Sequence, residues 1–121
     1  MADGHGELVE GMHRYVDVIG ALMAGLEAYQ AKQVEALDDL ADGMALLESV
    51  RIRDSATLSR ELARLVDDFE EARRSIRGLV SRALREEGVT LQEIGQVFGV
   101  SAQLASRFVK EPNGSSTRGP A

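Results

Sequence analysis

The sequence predicts an all-α protein, in which a long antiparallel helical hairpin precedes a short helix-turn-helix. Two long stretches carry apolar residues at alternating spacings of four and three, the repeat of a helix that packs along one seam. A third stretch, 90–110, carries two helix-capping signals with a glycine between them. These observations predict a coiled-coil-like hairpin over 7–87 and a helix-turn-helix over 88–110, with terminal segments at 1–6 and 111–121.

The first long helix is predicted over about 7–50. Residues 1–6 contain two glycines and no apolar repeat, so they are predicted to be frayed. Two successive four-residue steps around Gln33 form a stutter, which locally unwinds a supercoil. Asp42-Gly43 is the favoured place for a break, because glycine costs about 1 kcal/mol against alanine inside a helix. The seam consists of Leu8, Met12, Tyr15, Ile19, Leu22, Leu26, Tyr29, Leu37, Leu40, Met44 and Leu47.

The second long helix follows a turn predicted at 50–55, where the repeat is lost and Asp54 or Ser55 can cap the next helix. It is predicted to end near Glu87, with Gly88 as the left-handed residue beyond its end. A connection this short favours an antiparallel hairpin. The seam of this helix consists of Leu58, Leu62, Leu65, Phe69, Ala72, Ile76, Leu79 and Ala83.

A two-helix hairpin leaves one side of each apolar stripe without a partner, and the chain offers no third long helix. Self-association into a four-helix bundle is the simplest way to bury that side, so we expect a homodimer. The residues assigned to dimerisation are Met12, Tyr15, Ile19, Leu22, Leu26, Tyr29, Leu37, Leu62, Leu65, Phe69 and Ile76.

The stretch 90–110 is predicted to form two short helices joined by a tight turn. Thr90 can cap the first helix, and Glu93 three residues later completes a capping box. Gly99 can take the left-handed conformation that ends a helix, and Ser101 can cap a second helix over about 102–110. Two such helices form the helix-turn-helix unit, whose second helix enters the DNA major groove.

Two runs in this stretch, Glu93-Ile94-Gly95 and Phe98-Gly99-Val100-Ser101, resemble bacterial helix-turn-helix DNA-binding proteins. Sigma factors and small regulators of the actinobacterial type are the most similar. The resemblance covers residues 88–110 and implies a turn glycine at Gly99, a small residue at Gly95 and a buried residue at Ala105. It also implies that the exposed positions of the recognition helix are Ser101, Ala102, Gln103, Ser106, Arg107 and Lys110.

We therefore expect a bacterial transcriptional regulator that dimerises through its N-terminal helices and binds double-stranded DNA sequence-specifically. Arg107 can bond bidentately to a guanine edge and Gln103 to an adenine edge, while Ser106 and Lys110 suit phosphates. Arg82 and Arg85 adjoin the motif and are further phosphate candidates. The predicted DNA-binding set is Thr90, Gln92, Ser101, Ala102, Gln103, Ser106, Arg107, Lys110, Arg82 and Arg85.

The charges are distributed unevenly along the chain. Residues 1–50 hold ten acidic and two basic side chains, whereas residues 73–121 hold eight basic and four acidic ones. The net charge of −6 argues against indiscriminate nucleic-acid binding. An acidic N-terminal half ahead of a basic C-terminal third is typical of a polarised DNA-binding module.

A second hypothesis is an acidic coiled-coil module that binds a protein partner along its first helix. It would act as an adaptor, an antitoxin-like protein or a polymerase-associated protein, and its helix-turn-helix would be a degenerate packing element. Glu10 and His13 match the Glu-x-x-His pattern of di-iron bundles, but the pattern occurs once and flanks the seam, so a solvated pair is favoured. No nucleophile–base pair and no phosphate-binding loop are recognisable, so neither enzymatic activity nor a cofactor is predicted.

Localisation is predicted from what the sequence lacks. The chain has no cysteine, which excludes disulfides and thiolate metal sites. Its N-terminus lacks a basic leader, and its longest apolar run is far shorter than the roughly 20 residues that span a bilayer. We expect a cytoplasmic, nucleoid-associated protein without a membrane partner. The segment 111–121, with both prolines, is predicted to be disordered.

Overall fold

A computed structural model of the chain describes residues 2–111, with side chains from His5 onward. Within this range all regular secondary structure is helical, so the all-α prediction is confirmed. The helices are α1 (Ala2–Ala41), α2 (Leu46–Ile52), α3 (Ser55–Glu86), α4 (Leu91–Phe98) and α5 (Ala102–Lys110). None of the helices described is both long enough and apolar enough to cross a membrane.

The chain divides into two compact units, and the long helices α1 and α3 contribute to both. One unit, which we call the terminal unit, comprises the chain up to Asp17 and from Glu70 onward. The other, the middle unit, comprises Val18–Phe69. The terminal unit therefore contains α4 and α5, and the middle unit contains α2.

In the middle unit a glycine of α1 allows a close approach of α3. A Cβ atom placed on Gly25 would collide with Cδ1 of Leu65. Predicted seam residues of both helices are half-buried in this unit, and α1 and α3 are its only long helices. We therefore assign their burial to contacts between these two helices. These residues are Ile19, Leu22, Tyr29, Leu58, Leu62, Leu65 and Phe69.

The first long helix ends at Ala41, earlier than the predicted position near residue 50. Gly43 has a φ of 89°, and its N–H donates to the carbonyl of Leu40 at 3.1 Å. The N–H of Met44 donates to the carbonyl of Asp39 at 2.9 Å. This Schellman pattern satisfies carbonyls that the helix leaves open and closes it. The break lies at Asp42-Gly43, the place that the sequence favours, and α1 does not continue to residue 50.

Residues 46–52 form a separate helix, α2, which the sequence analysis did not predict. The connection from α2 to α3 consists of Arg53 and Asp54, within the predicted turn at 50–55. Asp54 adopts a left-handed φ of 52°, which aspartate tolerates better than most residues. The segment between the two long helices thus contains two turns and a short helix where one turn was expected.

In the terminal unit, α1 and α3 again approach closely at a glycine. A Cβ atom on Gly11 would lie 2.6 Å from Cδ1 of Leu79 and 3.6 Å from Cδ1 of Ile76. Ala72 and Leu79 are buried on the α3 side. This part of α3 is also the support of the C-terminal helices described below.

Helix α1 begins at Ala2, five residues before the predicted start at residue 7. Each glycine costs about 1 kcal/mol, which is too little to end a helix that continues for 40 residues. His5 lies close to the end of α3, since its Nε2 is 3.6 Å from Oε2 of Glu87.

Helix α3 ends at Glu86, within one residue of the predicted end. Gly88 has a φ of 90°, its N–H donates to the Arg85 carbonyl, and the N–H of Val89 donates to the Leu84 carbonyl, both at 3.0 Å. The predicted role of Gly88 is confirmed. Only Val89 and Thr90 separate it from α4, so the chain passes almost directly into the last two helices.

Candidate nucleic-acid interface

Helix α4 begins with the predicted capping box. The N–H of Glu93 donates to Oγ1 of Thr90 at 3.1 Å, and the Thr90 N–H donates to the Glu93 carboxylate at 3.0 Å. Two hydrogen bonds stabilise the charged Glu93 carboxylate, the larger effect coming from the Thr90 N–H and the smaller from the Thr90 hydroxyl. They hold the pKa of Glu93 below its ordinary value. The start of α4 is therefore fixed by local contacts.

The turn between α4 and α5 depends on two glycines for different reasons. Gly99 adopts a left-handed φ of 72°, and the N–H of Val100 donates to the carbonyl of Gly95 at 2.8 Å. Gly95 is buried, and a Cβ atom there would lie 2.6 Å from the Val100 carbonyl oxygen. Ser101 then caps α5, since its Oγ accepts the N–H of Leu104 at 3.1 Å. Gly99 and Ser101 have the predicted conformational roles.

One face of each short helix is buried. Ile94 of α4 and Ala105 of α5 are completely buried, and Phe108 is 5% exposed. The rings of Phe98 and Phe108 pack edge to face, with centroids 5.6 Å apart and an interplanar angle of 87°. These side chains form the small core that fixes α5 against α4.

Two arginines of α3 hold the C-terminal end of α5. The guanidinium carbon of Arg77 lies 4.1 Å from the Phe108 ring centroid, and its Nη2 lies 2.8 Å from Oε2 of Glu111. Nη1 of Arg82 donates to the carbonyls of Val109 and Glu111, at 3.4 and 2.6 Å. The last carbonyls of a helix lack partners within it, so Arg82 satisfies groups that α5 leaves open.

Glu111 was predicted to begin the disordered segment, but it is half-buried and paired with Arg77. The remainder of the predicted tail, 112–121, lies outside the described residues.

Most predicted DNA-binding residues are exposed in the terminal unit. Arg85 is exposed, and its Nη1 donates to the Val89 carbonyl at 3.0 Å. Ser106 was expected to be exposed, but it is half-buried. Arg82 differs from the prediction, because its guanidinium is directed at the carbonyls of α5 and is occupied within the protein. The exposed members are Thr90, Gln92, Ser101, Ala102, Gln103, Arg107, Lys110 and Arg85.

Gln103, Arg107 and Lys110 follow each other at spacings of four and three, so they share one face of α5. All three are exposed. The ion pairs found in the described part of the chain include neither Arg107 nor Lys110. This face combines an amide and two cations, groups that can bond to base edges and phosphates.

A groove of about 340 Å³ adjoins this face. Arg73 at its rim pairs with Glu70 at 3.2 Å, and Arg77 is engaged as described. Within the described part of the chain, Arg107 is thus the cation of this groove that takes part in no ion pair. Its lining consists of Arg73, Arg77, Phe98, Val100, Leu104, Arg107, Phe108 and Glu111.

The predicted dimerisation residues fall into two groups. Three of them, Met12, Leu26 and Leu37, are exposed. The others are half-buried within a single chain, where they contribute to the packing of α1 and α3. These are Tyr15, Ile19, Leu22, Tyr29, Leu62, Leu65, Phe69 and Ile76.

The sequence analysis missed the roles of Arg77 and Glu111, because the two residues are 34 positions apart and no local spacing connects them. Glu10 and His13 are exposed. Across residues 2–111, no group of three or more histidine, aspartate or glutamate side chains is arranged to hold a metal ion.

Comparison with known proteins finds no family model, no curated protein and no solved structure that matches this chain.

Proposed function

We propose that the protein is a sequence-specific DNA-binding regulator. In this proposal α4 and α5 form a helix-turn-helix, which follows a helical hairpin of α1 and α3 along the chain. One observation carries the proposal. The α4–α5 pair buries Ile94, Ala105 and Phe108, and its second helix exposes one polar face of Gln103, Arg107 and Lys110. A helix held on its apolar side with an exposed amide and cations is suited to the major groove.

Each residue of the exposed face has a distinct role in this proposal. Arg107 bonds to the edge of a guanine and Gln103 to the edge of an adenine. Lys110, Ser106 and the helix start at Ser101 contact phosphates, which position α5 without reading sequence. Thr90 and Gln92 at the start of α4, and Arg85 before it, contact the adjacent backbone.

The positive charge available per chain is small, because Arg77 and Arg82 are engaged inside the terminal unit. We therefore propose that two copies bind together, on half-sites about 34 Å apart. Support for self-association comes from Val9, Met12 and Val16, exposed apolar residues at spacings of three and four on α1. Such a stripe is suited to pairing with a second helix.

The proposal is tested by fluorescence anisotropy with DNA selected from genomic fragments by the protein itself. We expect Arg107→Ala to weaken binding by about 1–3 kcal/mol and to relax base preference at one position. We expect Lys110→Ala to weaken binding to all sequences equally and to reduce the salt dependence. Arg60→Ala, which removes an exposed arginine of the middle unit, is the matched control and should bind as wild type does.

The assignment of base contacts fails if the Gln103→Ala/Arg107→Ala double variant keeps the sequence preference of the wild type. The dimer is tested separately by sedimentation equilibrium. A monomer at all concentrations, or a dimer unaffected by Met12→Ser and Val16→Ser, would refute the α1 interface.

A second candidate function is that of an acidic module that binds a protein, with α4 and α5 serving only to pack. It is favoured by the position of the exposed large apolar side chains, most of which lie on α1 and α2. Wild-type protein that selects no DNA at low salt would favour this candidate over the first.

A further inference from the structure

We propose that Arg82 of α3 is a positioning residue for DNA binding. It fixes the last turn of α5 and thereby the place from which Lys110 reaches a phosphate. This role rests on the proposed function, and it differs from the direct phosphate contact that the sequence predicts for Arg82. Helix α3 then takes part in aiming α5 at DNA, although Arg82 itself does not touch DNA.

The first part of α5 is held by its cap and by the small core that it shares with α4. Oγ of Ser101 accepts the N–H of Leu104 at 3.1 Å, and Ala105 is completely buried. Gln103 lies between these two points, in the first turn of the helix. Its position is therefore set by local contacts and not by the end of α5.

The last turn of α5 depends on contacts from outside the helix. Helix α5 has nine residues, whereas isolated helices shorter than about 12–15 residues are marginal in water. The last carbonyls of a helix also find no N–H further along it. The N–H of Glu111 donates to the Phe108 carbonyl at 3.2 Å, but the Val109 carbonyl accepts from another helix. The turn that carries Lys110 is therefore fixed by that other helix.

Arg82 makes this contact from α3. Its Nη1 donates to the Glu111 carbonyl at 2.6 Å and to the Val109 carbonyl at 3.4 Å, so the bond to Glu111 is the stronger one. These carbonyls belong to the two residues that flank Lys110 in the chain. A cation at the C-terminal end of a helix also interacts favourably with the helix dipole. Arg82 thus holds the backbone on both sides of Lys110.

A glycine of α3 lets the end of α5 come close to Arg82. Gly78 is buried, and a Cβ atom there would lie 3.2 Å from Nη1 of Arg82 and 3.5 Å from the carbonyl oxygen of Phe108. Arg77 contacts the side chains of Phe108 and Glu111, whereas Arg82 bonds to backbone carbonyls. One stretch of α3, residues 77–82, therefore holds both the side chains and the backbone at the end of α5.

Exposure separates the two cations. Arg82 is half-buried and directed at carbonyls, whereas Lys110 is exposed and takes part in no ion pair of the described residues. A flexible lysine side chain gains from a fixed backbone, because less freedom is lost when its ammonium binds a phosphate. Lys110 therefore makes the phosphate contact, and Arg82 determines the place from which it is made.

The test is a double-mutant cycle, measured by fluorescence anisotropy on the DNA that the wild-type protein selects. Arg82→Met should weaken binding by about three- to tenfold, because Lys110 is no longer held in place. In the Lys110→Ala protein the same substitution should weaken binding by less than about twofold, since no contact is left to position. In the Gln103→Ala protein Arg82→Met should keep its full effect, because Gln103 is held independently.

Salt dependence distinguishes positioning from direct contact. Each lost phosphate contact lowers the slope of log K against log salt by about 0.9. If Arg82 and Lys110 both contacted phosphates, the double variant would lose about 1.8. Positioning predicts that the double variant has the slope of Lys110→Ala alone. The larger loss of slope, or an equal effect of Arg82→Met in the wild-type and Lys110→Ala proteins, would overturn the proposal.

Arg74→Met is the matched control for the loss of a positive charge. Arg74 is a half-buried arginine of α3 in the same unit, and it takes part in none of the ion pairs of the described residues. It should bind DNA as wild type does, and a loss equal to that of Arg82→Met would mean that net charge alone is responsible. Circular dichroism checks that each variant is folded, and Arg82→Gln replaces Arg82→Met if the methionine variant is not.

A measurement without DNA follows the last turn of α5 directly. By NMR, the amide hydrogens of residues 109–111 should exchange at least about threefold faster in Arg82→Met than in wild type. The amide of Ala105, a buried residue of the same helix, should change far less. Equal exchange rates of 109–111 in the two proteins would show that Arg82 does not fix this turn.

Failure of the proposed function is recognised separately. Wild-type protein that selects no DNA would refute DNA binding and the role of Arg82 together. Wild-type protein that selects DNA, combined with additive effects of Arg82→Met and Lys110→Ala, would refute the positioning role alone.

Discussion

The guanidinium carbon of Arg77 lies 4.1 Å from the centre of the Phe108 ring, and the same side chain pairs with Glu111 just beyond α5. A single arginine of α3 therefore contacts both an aromatic core residue of the α4–α5 pair and the residue that ends it. Basic residues that precede a DNA-binding motif are commonly interpreted as phosphate contacts. Here two of them, Arg77 and Arg82, serve the architecture of the terminal unit.

Replacing Arg77 with methionine keeps most of the aliphatic packing and removes the charge. We expect Arg77→Met to lower the free energy of unfolding by about 1–2 kcal/mol, through loss of the cation–π contact and the Glu111 pair. Urea titration followed by circular dichroism measures it. Arg73→Met is the matched control, since the ion pair of Arg73 with Glu70 is exposed. This substitution should lower the free energy of unfolding by less than about 0.5 kcal/mol. Equal losses in the two variants would contradict this interpretation.

Ser81 is completely buried, and its hydroxyl has no hydrogen-bond partner among the residues that the structure describes. Removing an unsatisfied buried hydroxyl eliminates its desolvation penalty, so Ser81→Ala should raise the free energy of unfolding by about 1 kcal/mol. Part of any gain comes from the helix propensity of alanine. Ser59→Ala, at an exposed position of the same helix, measures that part and is subtracted. A destabilised Ser81→Ala protein would show that the hydroxyl has a role the contacts do not reveal.

Two glycines of α1 in the middle unit should respond oppositely to the same substitution. A Cβ atom on Gly20 meets nothing within 4 Å, so Gly20→Ala should stabilise by about 0.5–1 kcal/mol through helix propensity. A Cβ atom on Gly25 would collide with Leu65, which must move. We therefore expect Gly25→Ala to be at least about 1 kcal/mol less stable than Gly20→Ala. Thermal unfolding of the pair measures the difference, and equal midpoints would indicate that Leu65 rotates away freely.

The contact between Asp39 and Arg53 should make the stability of the fold depend on pH in the acidic range. The Arg53 guanidinium, followed by the Ser49 hydroxyl, holds the pKa of Asp39 below its ordinary value. A carboxylate whose pKa is lower in the folded than in the unfolded state contributes its full stabilisation of the fold above the unfolded pKa, about 3.9. That contribution is lost as the pH falls through the folded-state pKa. Asp39→Asn should lower the thermal midpoint by several degrees at pH 7, and its deficit against wild type should shrink below about pH 4.

Asp67→Asn is the control for this titration, because Asp67 is exposed, lies in the same unit and is outside every ion pair of the described residues. It should follow the wild-type midpoint across the range. A deficit in Asp39→Asn that stays constant down to pH 2 would mean that the ionised carboxylate contributes nothing, and that asparagine fails for steric reasons.

The end of α3 and the boundaries of α4 and α5 were predictable because their causes are local. Thr90 and Glu93 act across three residues, and Gly88 and Gly99 follow directly on the helices they end. The sequence spacing alone contains this information. The position of α2 was not predictable in the same way. The apolar spacing continues through Met44 and Leu47, whereas α1 already ends at a turn in which the Met44 N–H donates to the Asp39 carbonyl.

Long-range contacts explain the remaining differences. The repeat on α1 indicates that Ile19 and Leu22 are packed, but it does not identify the packing partner, and in this fold the partner lies on the same chain. Arg82 carries the same charge whether it faces a phosphate or a carbonyl, so only the placement of α5 decides. Exposed apolar residues such as Leu46 are likewise recognised only once the fold shows which side of α2 is buried.

The division of the chain into two units also distributes its chromophores. The protein has no tryptophan and two tyrosines, both on α1. Tyr15 belongs to the terminal unit and Tyr29 to the middle unit, and both are half-buried. Tyrosine-to-phenylalanine substitution at one position leaves a native fluorophore in the other unit alone. Each unit can therefore be followed separately by its own ultraviolet emission, without introducing a foreign label.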